Sequence, residues 1–490
     1  MDVSPGNKTI KRVTLMKEVL TMHIPVRFFL APVIGLGLLI AIGGCVPLNY
    51  GHLSTDVPDS PAVVYEPSSP LPELIPVDDE VIPEVDGRIL GLAQCIKIAL
   101  ERNPETRIAW QASRSAAAGV GQAKAGYMPA ADFSAGANRG DLVSLDSQQD
   151  TGAADAFEAG FGVRYLLFDG GARSAGLEGA ESELLKVNFQ HNTTLQNVAL
   201  AVEEAYYQLL AAKELERVAE QTTHQTQYHL DVARARYKNG MVARSDVLKA
   251  ETGKAEADLG LVSAHSQVRI ARGRLANAMG LKPSESFEVA ELPQDPHQRE
   301  LADIKKLMAE AASSRPELRS ALAGIESGRA DVKAADARYW PEVTLNADYG
   351  WRDRTFAPER DEWSLGVGIT LPLFDGFNRG YTKLRAKSEL ARTVAEHEKL
   401  LRGVELEVWT AYSRLIEAGQ AIEAAQTLVA SADESARVAE GAYKNGTGSI
   451  IEVTDAQTSR TSANVRLVQA RLNWYTAMAR LERAVGRTLA

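Results

Sequence analysis

Two short motifs recur across this chain at one fixed distance, and that repetition limits the fold more than any other feature. Tyr237-Lys238-Asn239-Gly240 returns as Tyr443-Lys444-Asn445-Gly446, and Phe168-Asp169-Gly170 returns as Phe374-Asp375-Gly376, both at an offset of 206. By the same shift, Leu195, Val198, Val202, Ala205, Leu209 and Ala212 map onto Leu401, Val404, Val408, Ala411, Leu415 and Ala418, with every residue type kept. Upstream, Asn103-Pro104 pairs with Arg315-Pro316, and Tyr127-Met128-Pro129 with Tyr339-Trp340-Pro341, at an offset of 212. The six-residue difference falls between Pro129 and Phe168, in a loop, where added length is tolerated. The body is a duplication.

The mapped apolar series alternates steps of three and four, the heptad period of a left-handed coiled coil. No proline interrupts residues 170–237, so a nearly continuous helix of roughly 100 Å is expected at 1.5 Å per residue. A solvent-exposed coiled-coil scaffold would read the same way, but the strands argue against it. Val343, Leu345, Ala347, Tyr349 and Trp351 alternate with Glu342, Thr344, Asn346, Asp348 and Gly350, and Trp363, Leu365, Val367, Ile369 and Leu371 repeat the pattern. Phe133, Ala135 and Ala137, then Phe157, Ala159, Phe161, Val163 and Tyr165, form a weaker pair in the first half. Arms of about ten residues cross a bilayer when tilted. Four strands do not close around a lumen, and an open edge in lipid leaves backbone groups unpaired, so several copies must combine. Two copies would give a tight eight-stranded barrel and three a wider twelve-stranded one.

At the start of the chain, Lys8, Lys11, Arg12, Lys17 and Arg27 precede an apolar run from 28 to 42, the length of a signal-peptide core. The run ends in Ile42-Gly43-Gly44-Cys45, which resembles a bacterial lipobox, so Cys45 is expected to carry the lipid and to begin the mature protein. Val46 follows where an Asp would mark inner-membrane retention, so the same resemblance implies delivery to the outer membrane. Residues 45–85 form a Pro-rich tether, with Pro58, Pro61, Pro67, Pro70, Pro72, Pro76 and Pro83 breaking regular structure. The only other cysteine, Cys95, reads as a small buried apolar residue.

Several function classes are excluded or disfavoured. A formal net charge of -10 without a basic cluster in the body argues against nucleic acid. None of the eight histidines pairs at i, i+4, and the glycines at 170 and 171 lack a phosphate-loop Lys-Ser or Lys-Thr. No catalytic, metal or cofactor site is expected, and energy must come from a partner.

Helix, Pro-led strand, hairpin, strand, Phe-Asp-Gly turn, long helix, Tyr-Lys-Asn-Gly turn and returning helix, given twice, resemble the TolC-like outer membrane efflux family over roughly residues 86–487. The fold class is mainly α with a small β part. The resemblance implies a trimer whose twelve-stranded outer-membrane barrel continues into a helical periplasmic tunnel. It also implies a periplasmic adaptor and an inner-membrane pump as partners. The expected division is a signal at 1–44, the tether at 45–85, a first repeat at 86–281 with a β-hairpin at 129–168, a linker at 282–302, and a second repeat at 303–487 with a hairpin at 341–374. The expected function is a passive duct for small molecules; a protein or peptide secretion duct is the close variant.

Site residues follow from turn chemistry and from the resemblance. Asp169-Gly170 and Asp375-Gly376 suit tight strand–helix turns, with Asp capping amides and Gly taking unusual backbone angles. Asn239-Gly240 and Asn445-Gly446 suit helix stops, with Ser245 expected to cap the returning helix. The resemblance makes these tips the periplasmic mouth and adaptor-docking ends. It also makes Glu452 and Asp455 gate acids facing the pore axis, and Tyr443, Asp246 and Ser245 a latch between the repeats. The family often has an Arg where this chain has Gly448.

Overall fold

In the computed structural model the first repeat runs β1 (Ile89–Leu90), α1 (Leu92–Arg102), α2 (Pro104–Ala125), β2 (Ala130–Val143), β3 (Asp150–Phe168), α3 (Ala172–Lys238) and α4 (Arg244–Ala278). After β4 (Glu288–Val289), the second runs α5 (Ile304–Ser314), α6 (Pro316–Ala337), β5 (Glu342–Asp353), β6 (Glu362–Thr370), α7 (Asn378–Lys444) and α8 (Ile450–Val485). The structure describes residues 60–63, 89–143, 150–290, 303–353 and 361–487, all within the unit Ser54–Ala490. Cys45, the expected signal and most of the expected tether lie outside the described residues.

Proline starts each repeat's second helix. Asn103 and Arg315 are both extended (ψ 130° and 122°) because the following proline ring keeps them out of the helical region, while Pro104 and Pro316 occupy helix positions that need no N–H. Gly280 and Gly486, at φ 73° and 80°, end α4 and α8 against these breaks. A Cβ at 280 would lie 2.8 Å from Arg102 backbone, and one at 486 would lie 2.8 Å from Ser314 Oγ.

The seam read from the heptad spacing is the core. Leu195, Val198, Val202, Ala205, Leu209 and Ala212 are all buried in α3, and their counterparts are buried in α7 except Leu401, which is half-buried. Each buried Leu or Val contributes about 1.5–3 kcal/mol of transfer free energy. α3 and α7 are each 67 residues long, close to the expected run and about 100 Å end to end. Beside α3, β1 and β4 pair in parallel, and Tyr206 Oη donates to Ala290 O at 2.7 Å. Cys95 packs there in full burial, which pushes its thiol up to about 12.

The four long strands form one antiparallel sheet in the order β2-β3-β5-β6. Its alternation holds across the ladder: Phe133, Phe161, Tyr349 and Trp363 stand opposite one another in one row. The next row, on the other face, is Asp132, Gly162, Asp348 and Ser364. The first hairpin is longer than ten residues a side, with β2 at 14 and β3 at 19. β3 pairs with β5 only as far as Phe157, and beyond that it continues with β2 alone to Asp150. The length difference is thus spent partly on paired strand, where backbone bonds are satisfied, and not wholly on the loop.

Candidate functional site

At the strand–helix turns the two repeats build one constellation twice. Asp169 accepts from the Gly171 and Arg173 amides at 3.1 and 2.9 Å and from Arg173 Nε at 2.9 Å. Asp375 accepts from the Arg379 amide at 3.1 Å and Arg379 Nε at 3.0 Å. Partial burial alone would raise the Asp169 carboxyl, but the two amides and the Arg173 guanidinium outweigh it and hold it below its ordinary value. Arg173 then covers Tyr127 at 4.9 Å, and Arg379 covers Tyr339 at 5.2 Å. Gly170 and Gly376 both take φ 66°, as the turn chemistry requires. Neither arginine was singled out in the sequence, although their shared offset of 206 was available as a signal.

At the opposite helix ends, Asn239 and Asn445 cap α3 and α7, and Gly240 and Gly446 turn the chain at φ 71° and 80°. Met241 N bonds Arg236 O at 2.9 Å and Thr447 N bonds Ala442 O at 3.0 Å, which closes the last carbonyls of each helix. The expected cap by Ser245 is not made. α4 already begins at Arg244 with Ala243 as N-cap and no side-chain cap, so Ser245 sits inside the first turn and bonds Asp246 Oδ1 at 3.3 Å. The counterpart of Ala243 is Ser449, which does cap α8: Ser449 Oγ accepts from Glu452 N at 3.3 Å, and Glu452 Oε2 accepts from Ser449 N at 3.2 Å.

The tips also bring the repeats together. Tyr443 is 3% exposed and packs with Ile450, Val453 and Val232. Burial first, then the Asp246 carboxylate, pushes its phenol above the ordinary value, against the Arg236 guanidinium. The hydroxyl makes no hydrogen bond among the described residues, so Tyr443 and Asp246 are neighbours without the expected bond. Arg236 of α3 instead covers the Tyr443 ring at 4.8 Å and donates to Tyr443 O. Lys444 lies 5.2 Å from the Tyr228 ring, and His229 Nε2 lies 3.5 Å from Glu440 Oε1. Burial lowers the His229 pKa; Glu440 opposes this, and Arg460 and Lys444 add to it. Glu452 and Asp455, the expected gate acids, are exposed at the start of α8. Among the described residues, no group of three or more His, Cys, Asp or Glu is placed to hold a metal.

Several apolar surfaces are left exposed among the described residues of one chain. Trp363, Leu365, Val367 and Ile369 of β6 are exposed, as are Leu406 and Trp409 of α7, and Leu259 and Val262 of α4. Among the described residues, β2 and β6 each pair on one side only. The opposite sheet face is polar: Arg352 bonds Glu158 at 2.7 Å, and Ser364 bonds Asp348 at 3.0 Å. No described helix is long and apolar enough to cross a membrane.

A sheet with one apolar and one polar face, continued by paired coiled-coil hairpins, defines a β-sheet membrane channel component with a helical extension. The model of the outer membrane efflux protein family matches residues 95–281 and 307–487, and the chain belongs to that family. It is 27% identical over 393 residues to protein CyaE of Bordetella pertussis, covering 77% of this chain and 80% of CyaE. It is 25% identical over 388 residues to the pyoverdine export outer membrane protein OpmQ of Pseudomonas aeruginosa, covering 76% and 80%. The solved outer-membrane channel OprN superposes with a TM-score of 0.72 at 21% identity, over 81% of this chain and 90% of OprN. The chain is an outer-membrane channel component of an efflux or export system. Its solved neighbours are outer-membrane channels.

Proposed function

We propose that three copies of this chain form a passive duct for small molecules across the outer membrane and periplasm, held additionally by lipid on Cys45. One observation carries the reading: a four-stranded sheet, apolar on one face and polar on the other, ends in two unpaired edges. Edges in lipid are costly, and joining β6 of one copy to β2 of the next removes them all in a closed barrel. The exposed apolar residues of α4 and α7 give the helical part a matching surface.

In this reading the tips at Asn239-Gly240 and Asn445-Gly446 meet the adaptor, and Glu452 and Asp455 form two carboxylate rings at the mouth. Tyr443, Asp246 and Ser245 form the latch, the buried phenol lying ready to donate to Asp246. No residue of the chain performs catalysis, and the pump selects the cargo. Reconstitution into planar bilayers tests the duct. The expected result is a cation-selective conductance that loses selectivity and divalent-cation block when Glu452 and Asp455 are both replaced by Ala. Absence of conductance at any voltage would favour a scaffold without a pore. Cys45→Ser should remove the acyl mass while leaving partial assembly, since barrel insertion supplies membrane affinity of its own.

A further inference from the structure

We propose that Arg236 is a closing residue of the mouth, joining the first repeat to the second through Tyr443. The proposal rests on the reading of the tips as the mouth, and on contacts that this reading does not use. Arg236 sits in the last turn of α3, in the first repeat, and its guanidinium lies over the ring of Tyr443 of the second, 4.8 Å from the ring centre. The same group donates to Tyr443 O, one of the last carbonyls of α7, where the helix dipole favours a cation. Arginine over a desolvated aromatic face is the stronger form of the cation–π contact, and Tyr443 is 3% exposed.

Three further features fit the neighbourhood to this contact. Gly446 leaves the guanidinium room, since a Cβ there would stand 3.3 Å from Arg236 Nη2. Lys444 of α7 returns the exchange by lying 5.2 Å from the ring of Tyr228 on α3. The duplication places Ala442 opposite Arg236 and Glu434 opposite Tyr228, so the clasp exists once per chain and only between the repeats. Its signature is the contrast between Tyr443, buried, and Tyr237, its counterpart at 46% exposure.

The Tyr443–Asp246 latch would use the phenol oxygen, whereas Arg236 uses the ring face and the carbonyl. The two are therefore separable by single-channel recording in planar bilayers. Arg236→Gln should raise open probability on the order of tenfold, as expected for losing a buried cation–π contact and a charged hydrogen bond. Arg236→Lys, which keeps the charge and most of the stem, should give a smaller rise and guards against misassembly. The effect of Arg236→Gln should persist in a Tyr443→Phe background, because Phe keeps the ring and the carbonyl. If both Arg236 variants gate as the parent while Asp246→Ala or Tyr443→Phe opens the channel, the Arg236 proposal is overturned and the mouth reading stands. If none of these, nor the Glu452 and Asp455 pair, changes gating, the mouth reading itself falls.

Discussion

Tyr237 and Tyr443 hold the same place in the same four-residue motif, yet one is half exposed and the other is buried. Their turns agree closely: both helices end on Asn, both chains reverse at a glycine with positive φ, and both last carbonyls are closed by the same pattern of amides. The difference is in what each turn meets. Tyr443 is received by Val232 and Arg236 of the other repeat's long helix, whereas Tyr237 stays half exposed. Duplication copied the local geometry, which depends on a few adjacent residues. It did not copy the tertiary surroundings: Arg236 and Tyr228, which meet Tyr443 and Lys444, have Ala442 and Glu434 as their counterparts.

The comparison can be broken first at the strand–helix turns, where the largest effect is expected. Gly170→Ala adds a Cβ 2.4 Å from Trp340 Cβ at φ 66°, whereas at Gly376, with the same φ, a Cβ meets nothing within 4 Å. The left-handed conformation alone costs about 1–2 kcal/mol. The clash adds roughly 1–3 kcal/mol at position 170. The thermal midpoint of the detergent-extracted assembly should fall clearly further for Gly170→Ala; equal falls would mean that the two turns are not packed differently.

The next effect lies at the proline breaks. Asn103 Nδ2 bonds Ala278 O at 3.0 Å, and Arg315 Nη1 bonds Ala484 O at 3.0 Å, so the two halves close the returning helix at one place with different groups. Arg315 also binds Glu317 and Glu407, which Arg483 shares. Asn103→Ala should cost about 1 kcal/mol, the value of a lost cap. Arg315→Ala should cost about 3 kcal/mol, at the low end for breaking a buried ion pair, because Arg483 keeps both carboxylates paired. A denaturation series on both variants checks the order.

Smaller still is the helix-start difference. Ser449→Ala should cost about 1 kcal/mol, and Ala243→Ser should recover a similar amount in α4, if the Ser449–Glu452 capping box is the only distinction at these positions. A neutral Ala243→Ser would show that the first tip takes its form from elsewhere. The smallest change is set by acid. His229 lies below the ordinary histidine range when α3 and α7 are packed, owing first to burial. As pH falls through roughly 6.5, the separated form binds a proton that the packed form refuses, so acidification favours separation. Open probability should therefore rise modestly on acidification in the parent and less in His229→Gln.

The long helices, the sheet alternation and both pairs of turn glycines were legible because each follows from a period or from one residue's backbone preference. Asp169 and Asp375 act as the turn chemistry predicts for the same reason. Ser245 does not cap because α4 starts two residues earlier than such a cap would require, with Ala243 at the N-cap, whereas Ser449-Ile450-Ile451-Glu452 is the better capping signal in the same sequence. The longer strands of the first hairpin and the Arg236 contact were not legible. Both depend on what another segment places opposite, and spacing within one segment carries no record of it.

The most direct test of the central claim is the mass of the detergent-extracted protein by native mass spectrometry. A sheet with two open edges that closes only with other copies should give one species of about three times the mature chain mass. A stable single chain whose β2 and β6 amides are protected from exchange would contradict it.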